Sequence, residues 1–105
     1  MFQHLDEITE KELAPGCRAK LVHTDNMTVA HWHLEQGAVI PEHNHPHEQV
    51  ANIIEGEFEF TVAGDTQVMG PGHIAVIPSD AVHYGKALTA CYIIDVFYPT
   101  REDYR

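Results

Sequence analysis

After residue 16 the chain is a succession of short strand-forming runs, each closed by a turn signal, and no run holds a helical period long enough to compete. The runs are 17–23, 27–35, 49–54, 57–63, 66–69, 73–78 and 89–98. Between them lie turn formers such as Asp25-Asn26, Glu55-Gly56, Gly64-Asp65, Gly70-Pro71-Gly72 and Pro78-Ser79-Asp80, which free φ, fix it, or bond their own backbone. In Glu57-Phe58-Glu59-Phe60-Thr61-Val62 the alternation sends both rings to one face and both carboxylates to the other. Many short strands at close spacing predict an all-β sandwich or barrel, and barrels and jelly rolls manage strand edges best. A length of 105 residues allows one domain, read here as 17–105. Residues 1–16 read as an N-terminal arm, with acids interspersed among Leu5, Ile8 and Leu13 and room for one helical turn before Ala14-Pro15-Gly16.

Charge narrows the partners. Sixteen acidic residues against six Lys or Arg give a net charge of −10, which nucleic acid and anionic membranes repel. No stretch approaches the roughly 18 apolar residues of a membrane span. The start, Met1-Phe2-Gln3-His4-Leu5-Asp6-Glu7, is not a signal peptide, so a cytoplasmic protein with Cys17 and Cys91 as reduced thiols is expected. Nine histidines beside two cysteines point to metal chemistry before disulfides.

The histidines are concentrated in Pro41-Glu42-His43-Asn44-His45-Pro46-His47-Glu48-Gln49. Residues two apart in an extended chain share a face, so His43 and His45 can point into one cavity. Neutral imidazoles bind divalent metals at about 2.0–2.1 Å. A further ligand must come from elsewhere, and His83, just past a strand and turn, can be aimed at the mouth of a barrel. A lone His-x-His would look the same in a solvated loop. His31 and His33 share one strand face opposite Ala30, Trp32 and Leu34 and read as an exposed or interface pair, while His4, His23 and His73 read as surface.

The frame around these histidines is more specific. Gly37-x5-His43-x-His45-x3-Gln49-x6-Gly56 resembles the first motif of the cupin family, and Gly70-Pro71-Gly72-His73-x4-Pro78-x4-His83 resembles the second. The resemblance implies an RmlC-like jelly-roll barrel over most of 17–98. It also implies one divalent ion per chain (nickel, zinc, iron or manganese) on His43, His45, Gln49 and His83. Gln49 stands where the family has glutamate, and His73 where aspartate is common. The amide still offers a carbonyl oxygen, and a neutral ligand set leaves the ion its whole charge as a Lewis acid. His47 and Glu48 compete with Gln49 for the fourth position.

In Cys91-Tyr92-Ile93-Ile94-Asp95-Val96-Phe97-Tyr98 one acid interrupts an apolar run, at a cost of several kcal/mol unless it is paired or used. Alternation groups Asp95 with Cys91, Ile93 and Phe97; if that face is interior, Asp95 is a candidate general acid or base. Arg101 follows Pro99-Thr100 and is suited to gripping a carboxylate. With the first motif, Asp95-Val96-Phe97-Tyr98-Pro99-Thr100-Arg101-Glu102-Asp103-Tyr104 resembles small single-domain cupins of the pectin-degradation type, although the segment from His83 to Asp95 is short for that group. That likeness implies ring opening of 4,5-unsaturated uronates to linear keto-sugar acids, with Asp95 and Arg101 as catalytic groups and Phe97 and Arg101 against the substrate. A metal-dependent dioxygenase and a non-catalytic small-molecule-binding module are the alternatives. Tyr92, Ile94 and Tyr98 on the opposite strand face give the barrel apolar surface to hide, so a homodimer is expected.

Overall fold

Alternating small or apolar residues build ten strands in a computed structural model of residues 1–105. They are β1 (Lys11–Ala14), β2 (Cys17–His23), β3 (Thr28–Leu34), β4 (Val39–His43), β5 (Glu48–Glu55), β6 (Phe58–Val62), β7 (Asp65–Met69), β8 (Ile74–Ile77), β9 (His83–Ala87) and β10 (Cys91–Tyr98). Six form one antiparallel sheet in the order β1-β2-β3-β10-β5-β8, and four form the other in the order β4-β9-β6-β7. The all-β, two-sheet jelly-roll expectation holds. Between the sheets the inward residues Cys17, Ala19, Ala30, Trp32, Leu34, Ala51, Ile53, Phe58, Phe60, Ile93 and Phe97 are buried. Each large apolar side chain among them contributes roughly 1.5–3 kcal/mol by leaving water.

Every expected strand forms within two residues of its predicted ends, but three others were not expected. β1 is short, exposed and rich in charge, and its burial lacks alternation. It pairs with β2 through Lys11↔Ala19 and Glu12↔Arg18, so residues 11–14 of the N-terminal arm form an edge strand of the larger sheet. The single helical turn expected there is a 3-10 turn at Leu5–Glu7. β4 contains Pro41 and is irregular between Ile40 and His43. β9 carries Gly85 at its centre, where an added Cβ would overlap the ring of Phe58. Gly56, the closing glycine of the first motif, has φ +88, and a Cβ there would overlap the Ala90 carbonyl oxygen. Both positions need glycine for room.

His73 replaces the turn bond that an aspartate would make: the Gly70 N–H donates to its Nδ1 at 2.7 Å. His73 and His4 are exposed, as expected, but His23 is half-buried, with Nδ1 2.8 Å from Thr28 Oγ1. Cys17 and Cys91 are buried free thiols. No helix is long and apolar enough to cross a membrane.

Candidate metal centre and active site

The two sheets deliver their polar residues to one end of the core. β4 ends on His43 and β9 opens on His83, and these two are direct partners in the antiparallel register. His45 lies two residues beyond β4, its carbonyl accepting from the Asp80 N–H at 2.8 Å. A ring nitrogen from each of His43, His45 and His83 lies within 4.8 Å of the others. His45 and His83 are buried and His43 is half-buried.

Backbone carbonyls fix the tautomers. Nδ1 of His43 faces Pro41 O at 2.7 Å, that of His45 faces His47 O at 3.1 Å, and that of His83 faces Ala81 O at 2.8 Å. A carbonyl only accepts, so each Nδ1 carries a proton and Nε2 is the ring nitrogen left to ligate metal. Burial holds His83 below its ordinary pKa, and burial together with the Arg101 charge lowers His45 to about 4, so both are neutral at pH 7. Nε2 of His83 is buried without a hydrogen-bond partner. Nε2 of His45 lies 3.2 Å from Gln49 Oε1, leaving two acceptors face to face. A cation shared by both resolves that conflict, so the donor set fits a divalent ion.

The rivals for the fourth position separate. Gln49 is buried and faces the histidines from β5, whereas Glu48 is exposed on the opposite strand face. His47 is half-buried, its ring centre 5.4 Å from that of His45, and it lies outside the three-histidine group. His31 and His33 are on the outer face of the sheet with Tyr92, His31 Nδ1 lying 2.7 Å from its hydroxyl and His33 stacked on its ring.

β10 carries the acid. Cys91, Ile93, Asp95 and Phe97 do form the interior face. Asp95 pairs with Ala30 on β3 and Ala51 on β5, two small residues that leave space above the carboxyl. Burial pushes its pKa up to about 7, offset in part by the Gln49 amide, the Trp32 indole and the Arg101 charge. Asp95 Oδ1 and Trp32 Nε1 are nevertheless both buried without a hydrogen bond of good geometry. Two unsatisfied polar atoms in a dry core each cost about 1–3 kcal/mol, an expense characteristic of functional sites.

Beyond β10 the chain folds back over this end. Thr100 Oγ1 donates to Thr24 O at 2.9 Å, and the Arg101 N–H donates to Thr28 Oγ1 at 2.9 Å. Arg101 is thereby 4% exposed, not a solvated terminal residue. Its guanidinium lies 4.7 Å from the Phe97 ring centre and 3.9 Å from that of Tyr104. Nε and Nη2 donate to the two oxygens of Asp103 at 3.0 and 2.7 Å, while Nη1 is buried and unpartnered. Asp103 thus spends one edge of the fork and leaves the other free. Phe97, expected against the substrate, is 1% exposed; the His45, Arg101 and Tyr104 groups cover its ring.

His43, Gln49, His83, Asp95, Trp32 and Tyr104 line the polar part of a cavity of about 50 Å³ that continues into the apolar core. Neither Trp32 nor Tyr104 belongs to either cupin motif in the sequence. Trp32 shares the interior parity of Ala30 and Leu34, a legible signal; Tyr104 in a charged tail gives none.

Comparison with known proteins agrees with this fold. Residues 30–97 match the cupin domain family (Cupin_2). The pectin degradation protein KdgF of Dickeya dadantii (strain 3937) is 28% identical over 102 residues, covering 94% of this chain and 93% of its own. The structure of KdgF from Halomonas sp. superposes with a TM-score of 0.93 at 29% identity, covering 100% of this chain and 98% of that one. An RmlC-like cupin from Shewanella frigidimarina NCIMB 400 superposes with a TM-score of 0.94 at 26% identity, covering 99% and 95%. The two cupin motifs, the jelly roll they sit in and this family match together establish that the chain belongs to the cupin domain family.

Proposed function

We propose that this cupin opens the ring of 4,5-unsaturated uronates, using one divalent ion held by His43, His45 and His83 with Gln49 as the fourth ligand. The observation that carries the reading is the convergence of three imidazoles beside a buried carboxyl whose pKa is about 7 and a buried arginine. Likeness to two proteins named KdgF, one of them named for pectin degradation, supports the substrate class.

The reaction is an isomerisation. The anomeric hydroxyl loses a proton, the bond between C1 and the ring oxygen breaks to leave a C1 aldehyde and an enolate, and C4 of that enolate gains a proton to leave a ketone at C5. A divalent ion, when bound, supplies Lewis-acid polarisation of a substrate oxygen. Near neutral pH the Asp95 carboxyl exists in both protonation states, so it can take the hydroxyl proton and return one at C4. Arg101 offers Nη1 to the substrate carboxylate, with Phe97 as the platform behind its guanidinium. The cavity has room for little more than a water or two, so the sugar lies across the mouth and only its reacting edge enters. In this reading the chain works in the cytoplasm, in keeping with its two free thiols. Incubating metal-loaded protein with an unsaturated galacturonate and following the enol-ether absorbance tests the proposal. Decay faster than in buffer, lost in Asp95→Asn, is expected; no acceleration overturns it.

A further inference from the structure

Trp32 has no part in the steps above, yet its Nε1, like Asp95 Oδ1, is buried without a partner. The two side chains come from adjacent strands. Ala30 of β3 pairs with Asp95 of β10, and Trp32 pairs with Ile93, so the indole is the diagonal neighbour of the carboxyl on the interior face. An aromatic side chain spans that spacing. Ala30 is too small to separate the two groups, and the indole faces the carboxyl. The ring is also held in place. Trp32 is buried and packs edge-on against Tyr104, with ring centres 6.2 Å apart. Trp32 and Asp95 both line the cavity, which turns apolar beyond them at Leu34, Ile53 and Ile93.

An indole N–H only donates, and an ionised carboxylate oxygen only accepts. One ligand atom satisfies both if it accepts from the first and donates to the second. A hydroxyl oxygen does this. An ether or carboxylate oxygen has no proton to give Asp95, and an ammonium group has no lone pair for Trp32. The cavity of about 50 Å³ admits a group the size of a hydroxyl while the rest of a sugar stays at the mouth. We propose that Trp32 Nε1 and Asp95 Oδ1 grip one substrate hydroxyl, the anomeric one, and that Trp32 is a catalytic hydrogen-bond donor. This rests on the uronate reading, in which that hydroxyl gives its proton to Asp95. As the proton leaves, the O–H electron pair becomes the second bond of the C1 carbonyl. The pair of the breaking C1–O bond passes to the ring oxygen. The exocyclic oxygen carries negative charge in transit, and a fixed N–H aimed at it stabilises the transition state more than the ground state. Trp32 transfers no proton itself.

Trp32 is the chain's one tryptophan, so its indole N–H gives a single resonance in a nitrogen–proton correlation spectrum. Zinc-loaded protein titrated with galacturonate, which has no 4,5 double bond to be consumed, is the binding test. The indole resonance should move downfield to saturation with galacturonate and stay in place with 1-deoxygalacturonate, which keeps the carboxylate and lacks the anomeric hydroxyl. In turnover of unsaturated galacturonate, Trp32→Phe keeps an aromatic ring and removes the N–H. Its kcat should fall by about 10–100-fold, with KM changed far less and one ion per chain retained. An indole resonance that ignores saturating galacturonate, or answers both sugars alike, overturns the proposal, and this readout does not depend on how the variant folds. A folded, metal-loaded Trp32→Phe with the parent's kcat overturns it as well. A parent that does not turn over unsaturated galacturonate overturns the uronate reading beneath it, whereas turnover with an indifferent indole overturns the role of Trp32 alone.

Discussion

Replacing Asp95 with Asn should stabilise the metal-free protein at high pH while removing its turnover. Asp95 has its pKa raised from 3.8 to about 7, with burial the largest cause. The folded state therefore keeps a proton between those values that the unfolded chain releases, and stability falls as pH rises through that window. Three units at about 1.4 kcal/mol each set a ceiling of about 4 kcal/mol, and relaxation of the site brings the expected gain to about 2–3 kcal/mol at pH 8. His45 acts in the opposite sense. Its pKa is lowered from 6.5 to about 4, so the unfolded chain takes up a proton first as pH falls, and stability rises from pH 4 to 6.5. The two slopes oppose each other in the parent. In Asp95→Asn the His45 slope is unmasked, and stability should climb across that range. Urea unfolding of chelator-treated protein at several pH values reads both effects, and loading with a divalent ion should shrink the gain, since a dication favours the ionised carboxylate. A stability difference between parent and variant that is constant from pH 4 to 8, or a less stable variant at pH 8, refutes the assignment of Asp95 as a buried, unpaired acid.

Asp103 holds the Arg101 fork, so Asp103→Ala should let Nη1 swing away from the cavity. KM for the unsaturated uronate should rise about 10-fold, with kcat changed less, the signature of lost substrate binding; Asp103→Glu should recover part of the loss. Gly85→Ala drives a methyl group into the Phe58 ring and should cost about 1–3 kcal/mol as overpacking, measured as a lower Tm for the metal-free protein.

Most of the fold could be read from alternation. Phe58 and Phe60 on β6, and Cys91, Ile93, Asp95 and Phe97 on β10, lie on the faces their spacing predicts. β1 and β4 were illegible because their burial follows no alternation, and in β4 Pro41 breaks the pattern. His43, His45 and His83 were legible from their place between turn-forming glycines and prolines, and that part of the site rests on chain geometry. The rest depends on where the tail returns. Nothing local in Arg101-Glu102-Asp103-Tyr104 announces that Arg101 is buried under Tyr104; that follows from Thr100 and Arg101 anchoring to Thr24 and Thr28, more than seventy residues away. Phe97 shows the same limit: its interior parity was legible, its cover by Arg101 and Tyr104 was not.

The central claim is that the lone pairs of His43, His45 and His83 hold one divalent ion beside Gln49. Calorimetric titration of chelator-stripped protein with zinc and nickel measures it most directly, on the parent and on His45→Ala, His83→Ala and His47→Ala. One ion per chain is predicted for the parent. Affinity should fall by about 100-fold or more in the first two variants, from the loss of a ligating imidazole, and by only a few-fold in His47→Ala. A parent that takes up no ion at micromolar concentration contradicts the account, and so does a His47→Ala variant as impaired as His45→Ala.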